Sequence, residues 1–159
     1  MAATVPFRLL GLDHLVLRIV DEARMLAFYR DVLGAHEERR MDEYGLVQLR
    51  AGTTLIDLVT IDGKLGQAGG AAPGTTGRNL EHFCLRIEPF DAAALRAHLL
   101  RHGVAMEDVA TRYGADGYGP SIYLRDPEGN TVELKGPPHA RRTIEEAQFS
   151  TAAASAQKQ

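Results

Sequence analysis

Leu12-Asp13-His14-Leu15-Val16-Leu17-Arg18-Ile19 and Leu80-Glu81-His82-Phe83-Cys84-Leu85-Arg86-Ile87 carry one pattern written twice. An acid, a His, an apolar run and an Arg return at an offset of 68 residues, from His14 to His82. Both stretches are rich in β-branched and other apolar side chains, so both read as strands. A helical pattern follows each. Asp21 stands where an N-cap belongs, and Met25, Phe28, Tyr29, Val32 and Leu33 keep to one helical face before Gly34 closes the segment. Asp91 caps the second helix, with Leu95, Leu99 and Leu100 on one face and Gly103 at its end.

The second half of each unit repeats as well. Leu46 to Arg50 and Leu55 to Ile61 read as two strands around Ala51-Gly52. Ser121 to Arg125 and Asn130 to Lys135 read as two strands around Asp126-Pro127-Glu128-Gly129. There Pro127 pre-sets its backbone angle and Gly129 tolerates positive φ, as a hairpin turn requires. Short strands at Glu38 to Met41 and Met106 to Thr111 complete each unit. The expected fold class is α+β, with a βαβββ module present twice. The first module spans 9–62 and the second 80–136. A Gly-rich linker at 63–79 joins them, and a small, polar, flexible tail at 137–159 follows.

Strand alternation divides the side chains. Leu15, Leu17 and Ile19 share one face, and His14, Val16 and Arg18 the other. Phe83, Leu85 and Ile87 likewise oppose His82, Cys84 and Arg86. In the closing strands Ile56 and Leu58 oppose Asp57, and Val132 and Leu134 oppose Glu133. The apolar faces are expected under the helices. The mixed faces then hold His14, Asp57, His82 and Glu133, one imidazole and one carboxylate per module, a donor set suited to a divalent transition metal. Composition narrows the partners. A net charge of −3, from 18 Lys+Arg against 21 Asp+Glu, and the absence of Trp argue against nucleic acid. No apolar run approaches the roughly 20 residues of a membrane span. One cysteine, Cys84, allows no intrachain disulfide, and residues 1–11 hold no signal-like apolar run. A cytoplasmic protein acting on a small molecule is expected. Cys84 is expected to be a buried, inert thiol.

Leu12-Asp13-His14-Leu15-Val16-Leu17, Phe28-Tyr29-Arg30-Asp31-Val32-Leu33-Gly34, Glu81-His82-Phe83 and Tyr123-Leu124-Arg125-Asp126-Pro127-Glu128-Gly129-Asn130-Thr131-Val132-Glu133-Leu134 together resemble the vicinal oxygen chelate superfamily. That superfamily includes glyoxalase I, bleomycin-resistance proteins and extradiol dioxygenases. The likeness covers both modules, roughly Leu9 to Gly136. It implies paired βαβββ modules forming a U-shaped cup, a metal in the cup and a homodimer. Carried over by position, the ligands would be His14, His82 and Glu133, with Asp57 in the fourth place. Relatives of glyoxalase type usually have Glu or Gln there. Asp is one methylene shorter, which leaves direct binding, binding through water and an open position all available.

The resemblance implies a metal-dependent glyoxalase-type lyase or isomerase. Its divalent ion (Ni, Zn, Fe, Mn or Co) would chelate two oxygens of a small substrate and stabilise an enediolate, with Glu133 as proton carrier. Gln48 and Tyr123, equivalent in the repeat, are candidates to touch substrate, and Arg18 and Arg86 to bind its carboxylate. Two alternatives remain open. Without Asp57, His14, His82 and Glu133 form the two-His-one-carboxylate set of an Fe(II) extradiol-type dioxygenase. The other is a non-catalytic, drug-binding resistance protein, a kind that generally lacks a full ligand set, whereas this chain has at least three of the four.

Overall fold

The computed structural model describes residues 7, 8 and 10–139. They fall into two compact units, one ending at Arg78 and one beginning at Asn79. The first comprises β1 (His14–Ile19), α1 (Glu22–Ala27), β2 (His36–Met41), β3 (Leu46–Ala51) and β4 (Thr54–Thr60). Its sheet runs β1-β4-β3-β2, with β1 parallel to β4 and the other pairs antiparallel. The Asp21 carboxylate accepts the Arg24 backbone N–H and so starts α1. The helix widens into a π-helical turn over Phe28–Val32, a feature that the apolar spacing does not announce. Gly34 ends it at φ +75°, in the left-handed region that favours glycine.

The register explains the core. Leu17 pairs with Leu58, and Val47 and Leu49 pair with Leu58 and Ile56, so one face of the sheet is continuously apolar. These residues are buried with Ile19, Met25, Phe28 and Tyr29 from the strand end and the helical segment. The opposite face therefore belongs to His14, Val16, Arg18, Gln48 and Asp57.

The second unit repeats the plan with β5 (Phe83–Arg86), α2 (Ala92–Arg101), β6 (Ala110–Gly114), β7 (Gly117–Arg125) and β8 (Thr131–Lys135), ordered β5-β8-β7-β6. Asp91 accepts the N–H groups of Ala93 and Ala94 at the start of α2. Leu99, Ile122, Leu124, Val132 and Leu134 form its core. In the β7–β8 turn the Asp126 carboxylate binds the N–H groups of Glu128 and Asn130, which fixes the hairpin and with it the register of Glu133.

The α+β class and the two βαβββ modules are as expected, and the bounds of β6 and β7 are not. The strand expected at Met106 to Thr111 begins only at Ala110, and Met106 makes an isolated bridge to Leu124. The β7 strand in turn starts at Gly117, four residues before the expected Ser121. The reason is a tight turn at Ala115-Asp116, closed by the Gly114–Gly117 pair, which draws both strands toward it. Asp-Gly at 116–117 is a hairpin signal in its own right. No helix among the described residues is long and apolar enough to cross a membrane. Of the tail expected at 137–159, residues 140–159 lie outside those described.

Candidate metal centre

In the first unit the register sets Val16 and Gln48 directly beside Asp57. Asp57 is buried, so it is no surface acid. Gln48 Nε2 donates to its Oδ2 at 3.0 Å. Its Oδ1 is also buried and has no hydrogen-bond partner. A buried oxygen left in that state is costly, and such atoms are uncommon in folded proteins. His14 opens β1 on the same face and is exposed. Its Nδ1–H donates to Asp13 Oδ1 at 2.7 Å. That bond is the main cause holding the imidazole above its ordinary range; desolvation opposes it, and the charges of Asp57 and Asp13 add to it.

Arg18, on the same strand face, faces inward to the chain's own backbone. Its Nε and Nη2 donate to Gly66 O at 3.2 and 2.9 Å, Nη1 to Gly69 O and Ala71 O at 3.0 and 3.1 Å, and Nη2 also to Gly70 O at 2.6 Å. The start of the Gly-rich segment is thereby tied down as a 3-10 turn over Gly66–Gly69.

In the second unit Cys84 and Tyr123 flank Glu133 in register. Glu133 is buried. Ser121 Oγ donates to its Oε1. Its Oε2 lies 3.3 Å from His82 Nε2, and His82 Nδ1 bonds Glu81. The His82 ring meets Tyr123 edge-on at 5.3 Å between centroids. Arg112 covers Tyr123 with its guanidinium 4.3 Å from the ring centre. Burial, and then the charge of Glu133, push the Tyr123 phenol above its ordinary range.

Cys84 departs from expectation: it is exposed rather than buried. The protein packed on its Glu133 side desolvates the thiol, and the Glu133 charge adds to that, pushing it up to about 11. The thiol is therefore inert through protonation and not through enclosure. Arg86 is exposed and pairs with Asp116. Lys135, two residues beyond Glu133, is buried and donates to the carbonyls of Arg112 and Gly119. Its stem lies where a Cβ on Gly114 would be, 2.7 Å from Cε.

Sequence reasoning gave no role to Asp13, Glu81, Ser121 or Lys135. For the first two the signal was present, since the acid before each His is part of the repeat. For Ser121 and Lys135 none exists, because their partners lie on other strands.

The second unit thus brings His82 and Glu133 into contact, and in the first His14 and Asp57 share one face of the sheet. Among the described residues, no group of three or more His, Cys, Asp or Glu is placed to hold a metal ion. The residues nevertheless fit a divalent ion on two observations. Asp57 Oδ1 is a desolvated anionic oxygen with nothing to bind. In the second unit, His82 Nε2 and Glu133 Oε2 face each other, a nitrogen and an oxygen donor that a divalent cation between them would satisfy, as a proton on Nε2 would. The 3.3 Å separation suits this. Nitrogen and oxygen donors on one tetrahedral ion stand roughly 3.3–3.4 Å apart.

The comparisons with known proteins agree with the fold. Residues 11–134 match the Glyoxalase/Bleomycin resistance protein/Dioxygenase superfamily, and the chain belongs to it. An integron cassette protein from the mobile metagenome of V. cholerae is 26% identical, with a TM-score of 0.67 over 83% of this chain and 98% of its own. A lactoylglutathione lyase from Agrobacterium tumefaciens is 23% identical (TM-score 0.56; 80% and 93% covered). The fosfomycin resistance protein FosX from Mesorhizobium loti is 18% identical (TM-score 0.59; 89% and 99% covered). The last two, both under 25% identical, show the shared fold. The superfamily includes enzymes and non-enzymatic resistance proteins; its members act on small molecules, commonly with divalent metals and commonly as dimers.

Proposed function

We propose that this protein is a metal-dependent enzyme of the glyoxalase type that moves a proton on a small, oxygen-chelating carbonyl or hydroxy compound. The proposed ligands are His14, Asp57, His82 and Glu133. The observation that carries the reading is the buried, unpartnered Asp57 Oδ1, which supports Asp57 as the fourth ligand. When bound, a divalent ion would supply Lewis-acid polarisation of the substrate oxygens. This chain's own residues do the rest. Gln48 fixes the rotation of Asp57. Ser121 occupies Glu133 Oε1, so Oε2 is the oxygen that takes the proton from the substrate C–H and returns it to the neighbouring carbon. For that step Oε2 must give up any other contact. Tyr123, held between His82 and Arg112, supports a wall against which the substrate sits. A homodimer is part of the proposal: each four-stranded sheet has two edge strands, and such edges are normally paired or covered.

The test is elemental analysis of purified protein followed by assays of the loaded protein on hemithioacetals of 2-oxoaldehydes. Stoichiometric divalent metal with isomerase turnover supports the reading. Loaded protein that turns over none of them overturns it. Oxygen uptake with a catechol after anaerobic iron loading would identify the dioxygenase alternative instead.

A further inference from the structure

In the second unit, the sheet face that carries Glu133 also carries Arg86, Arg112, Arg125 and Lys135. The register shows it: Lys135 pairs with Arg86 on β5 and Ser121 on β7, Arg125 with Thr131, and Arg112 on β6 with Gly119. Their partners separate them. Arg86 is exposed and paired with Asp116. Arg125 is exposed and donates within its own hairpin, to Gly129 O and Thr131 Oγ1. Lys135 is buried and ties down the carbonyls of Arg112 and Gly119. Arg112 is half-buried, and Nη1 donates to Ser121 O at 3.1 Å. A guanidinium has five N–H groups, so this bond occupies a small part of the fork. Its other contact is the Tyr123 ring, 4.3 Å from Cζ to the ring centre. That contact holds the guanidinium in place and leaves its charge unmatched. Among the described residues, no carboxylate lies within ion-pair distance of Arg112 or Lys135. Arg18, one of the two arginines expected to take a carboxylate, has all five N–H groups on backbone carbonyls.

We propose that Arg112 binds a carboxylate of the substrate, which makes that substrate an anionic carbonyl or hydroxy compound. The inference rests on the proton-transfer reading above and narrows it. Tyr123 touches both Arg112 and His82, whose ring centre lies 5.3 Å from its own, and Glu133 Oε2 lies 3.3 Å from His82 Nε2. A carboxylate on Arg112 and a C–H at Glu133 are therefore about one aromatic ring apart, which a molecule of a few carbons spans. The planar fork matches two carboxylate oxygens at once, and stacking on an aromatic ring pre-sets its position. Lys135, bonded to the Arg112 carbonyl, fixes the strand that presents the guanidinium and adds a second positive charge to the same face. It has room to reach there because residue 114 is glycine. Both charges are partly withdrawn from water, where their pull on an anion is stronger than at an open surface. A neutral substrate covering Arg112 would desolvate it without repayment, so the site discriminates against one.

Binding is measured first, on the full-length chain treated with a chelator so that no metal competes for the anion. Succinate titrated into the ¹⁵N-labelled protein should shift the Arg112 Nε–H and the Ser121 and Tyr123 amides to saturation. Dimethyl succinate should not, a comparison that needs no variant. Arg112→Met keeps a stem against Tyr123 and should weaken succinate at least about tenfold. Turnover of the metal-loaded protein gives the second readout. The parent should prefer the methylglyoxal hemithioacetal of 3-mercaptopropionate to that of its methyl ester. In Arg112→Met the KM for the acid should rise about 10–100-fold, with the ester changed by less than about threefold. Succinate shifts that do not saturate, or that persist in Arg112→Met, would overturn the inference, as would an equal loss for acid and ester. A selective loss found in Arg86→Met and absent from Arg112→Met would also overturn it and assign the carboxylate to Arg86. Saturable succinate binding at Arg112 in a protein that turns over no hemithioacetal would leave this inference standing and overturn the proton-transfer reading alone.

Discussion

Replacing Gly69 with Ala should destabilise the first unit for a reason that a second substitution can remove. A Cβ at Gly69 would sit 2.3 Å from Arg18 Nε, 2.4 Å from Cζ and 2.7 Å from Cδ. The backbone at Gly69 is not in the positive-φ region, so alanine brings no conformational strain of its own. The guanidinium has to move, and its bonds to Gly66, Gly69, Gly70 and Ala71 weaken together. Charge-assisted hydrogen bonds contribute about 1.5–3 kcal/mol each when dry, but most of these are exposed and water replaces them, so the expected cost is about 2 kcal/mol in total. In an Arg18→Ala background the clash is gone. There Gly69→Ala only restricts the unfolded chain and should stabilise by about 0.4–1 kcal/mol. The sign of the substitution therefore inverts between backgrounds, a coupling of roughly 2–3 kcal/mol. Urea unfolding of the four proteins measures it, and hydrogen exchange at the Gln67 and Gly70 amides, which bond Gly63 and Gln67, localises it. An equal cost in both backgrounds would refute the argument that Arg18 is what Gly69 accommodates.

Other consequences can be measured directly. Glu133→Gln should fold and lose turnover by about 10²–10⁴-fold, since it keeps the Ser121 bond and removes the proton acceptor; turnover within tenfold of the parent would remove Glu133 from that role. Asp57→Asn keeps an oxygen for Gln48 and turns an amide N–H₂ toward the unpartnered position, so zinc affinity should fall at least about tenfold in a chelator competition. With its thiol pushed up to about 11, Cys84 in the metal-free protein should react with iodoacetamide on the order of a hundredfold more slowly at pH 8 than an ordinary exposed cysteine, with the rate rising steeply only as pH climbs past 10; a midpoint near 8.5 would show the Glu133 environment to be otherwise. Light scattering at micromolar concentration should give a dimer. Mixing and co-refolding His14→Ala with Glu133→Ala then tells whether the modules exchange between chains, since only exchange restores an intact site.

The sequence by itself determined the duplication, the class of each element and the side of each strand on which the chemistry lies. Those properties are local. Alternation along His14 to Ile19 and Phe83 to Arg86 is a consequence of strand geometry, and Asp21, Gly34, Asp91 and Gly103 mark helix ends through their own backbone preferences. The β6–β7 hairpin could have been read from Asp116-Gly117, a local turn signal. Tertiary structure alone decided which distant residues meet the candidate carboxylates. Gln48 meets Asp57, Ser121 meets Glu133 and Arg18 meets the carbonyls of 66–71 because strands and loops distant in the chain are brought into register. The burial that leaves Asp57 Oδ1 without a partner is likewise a property of the packed sheet. A residue's type fixes how many hydrogen bonds it can make; only the folded chain fixes which of them are already taken.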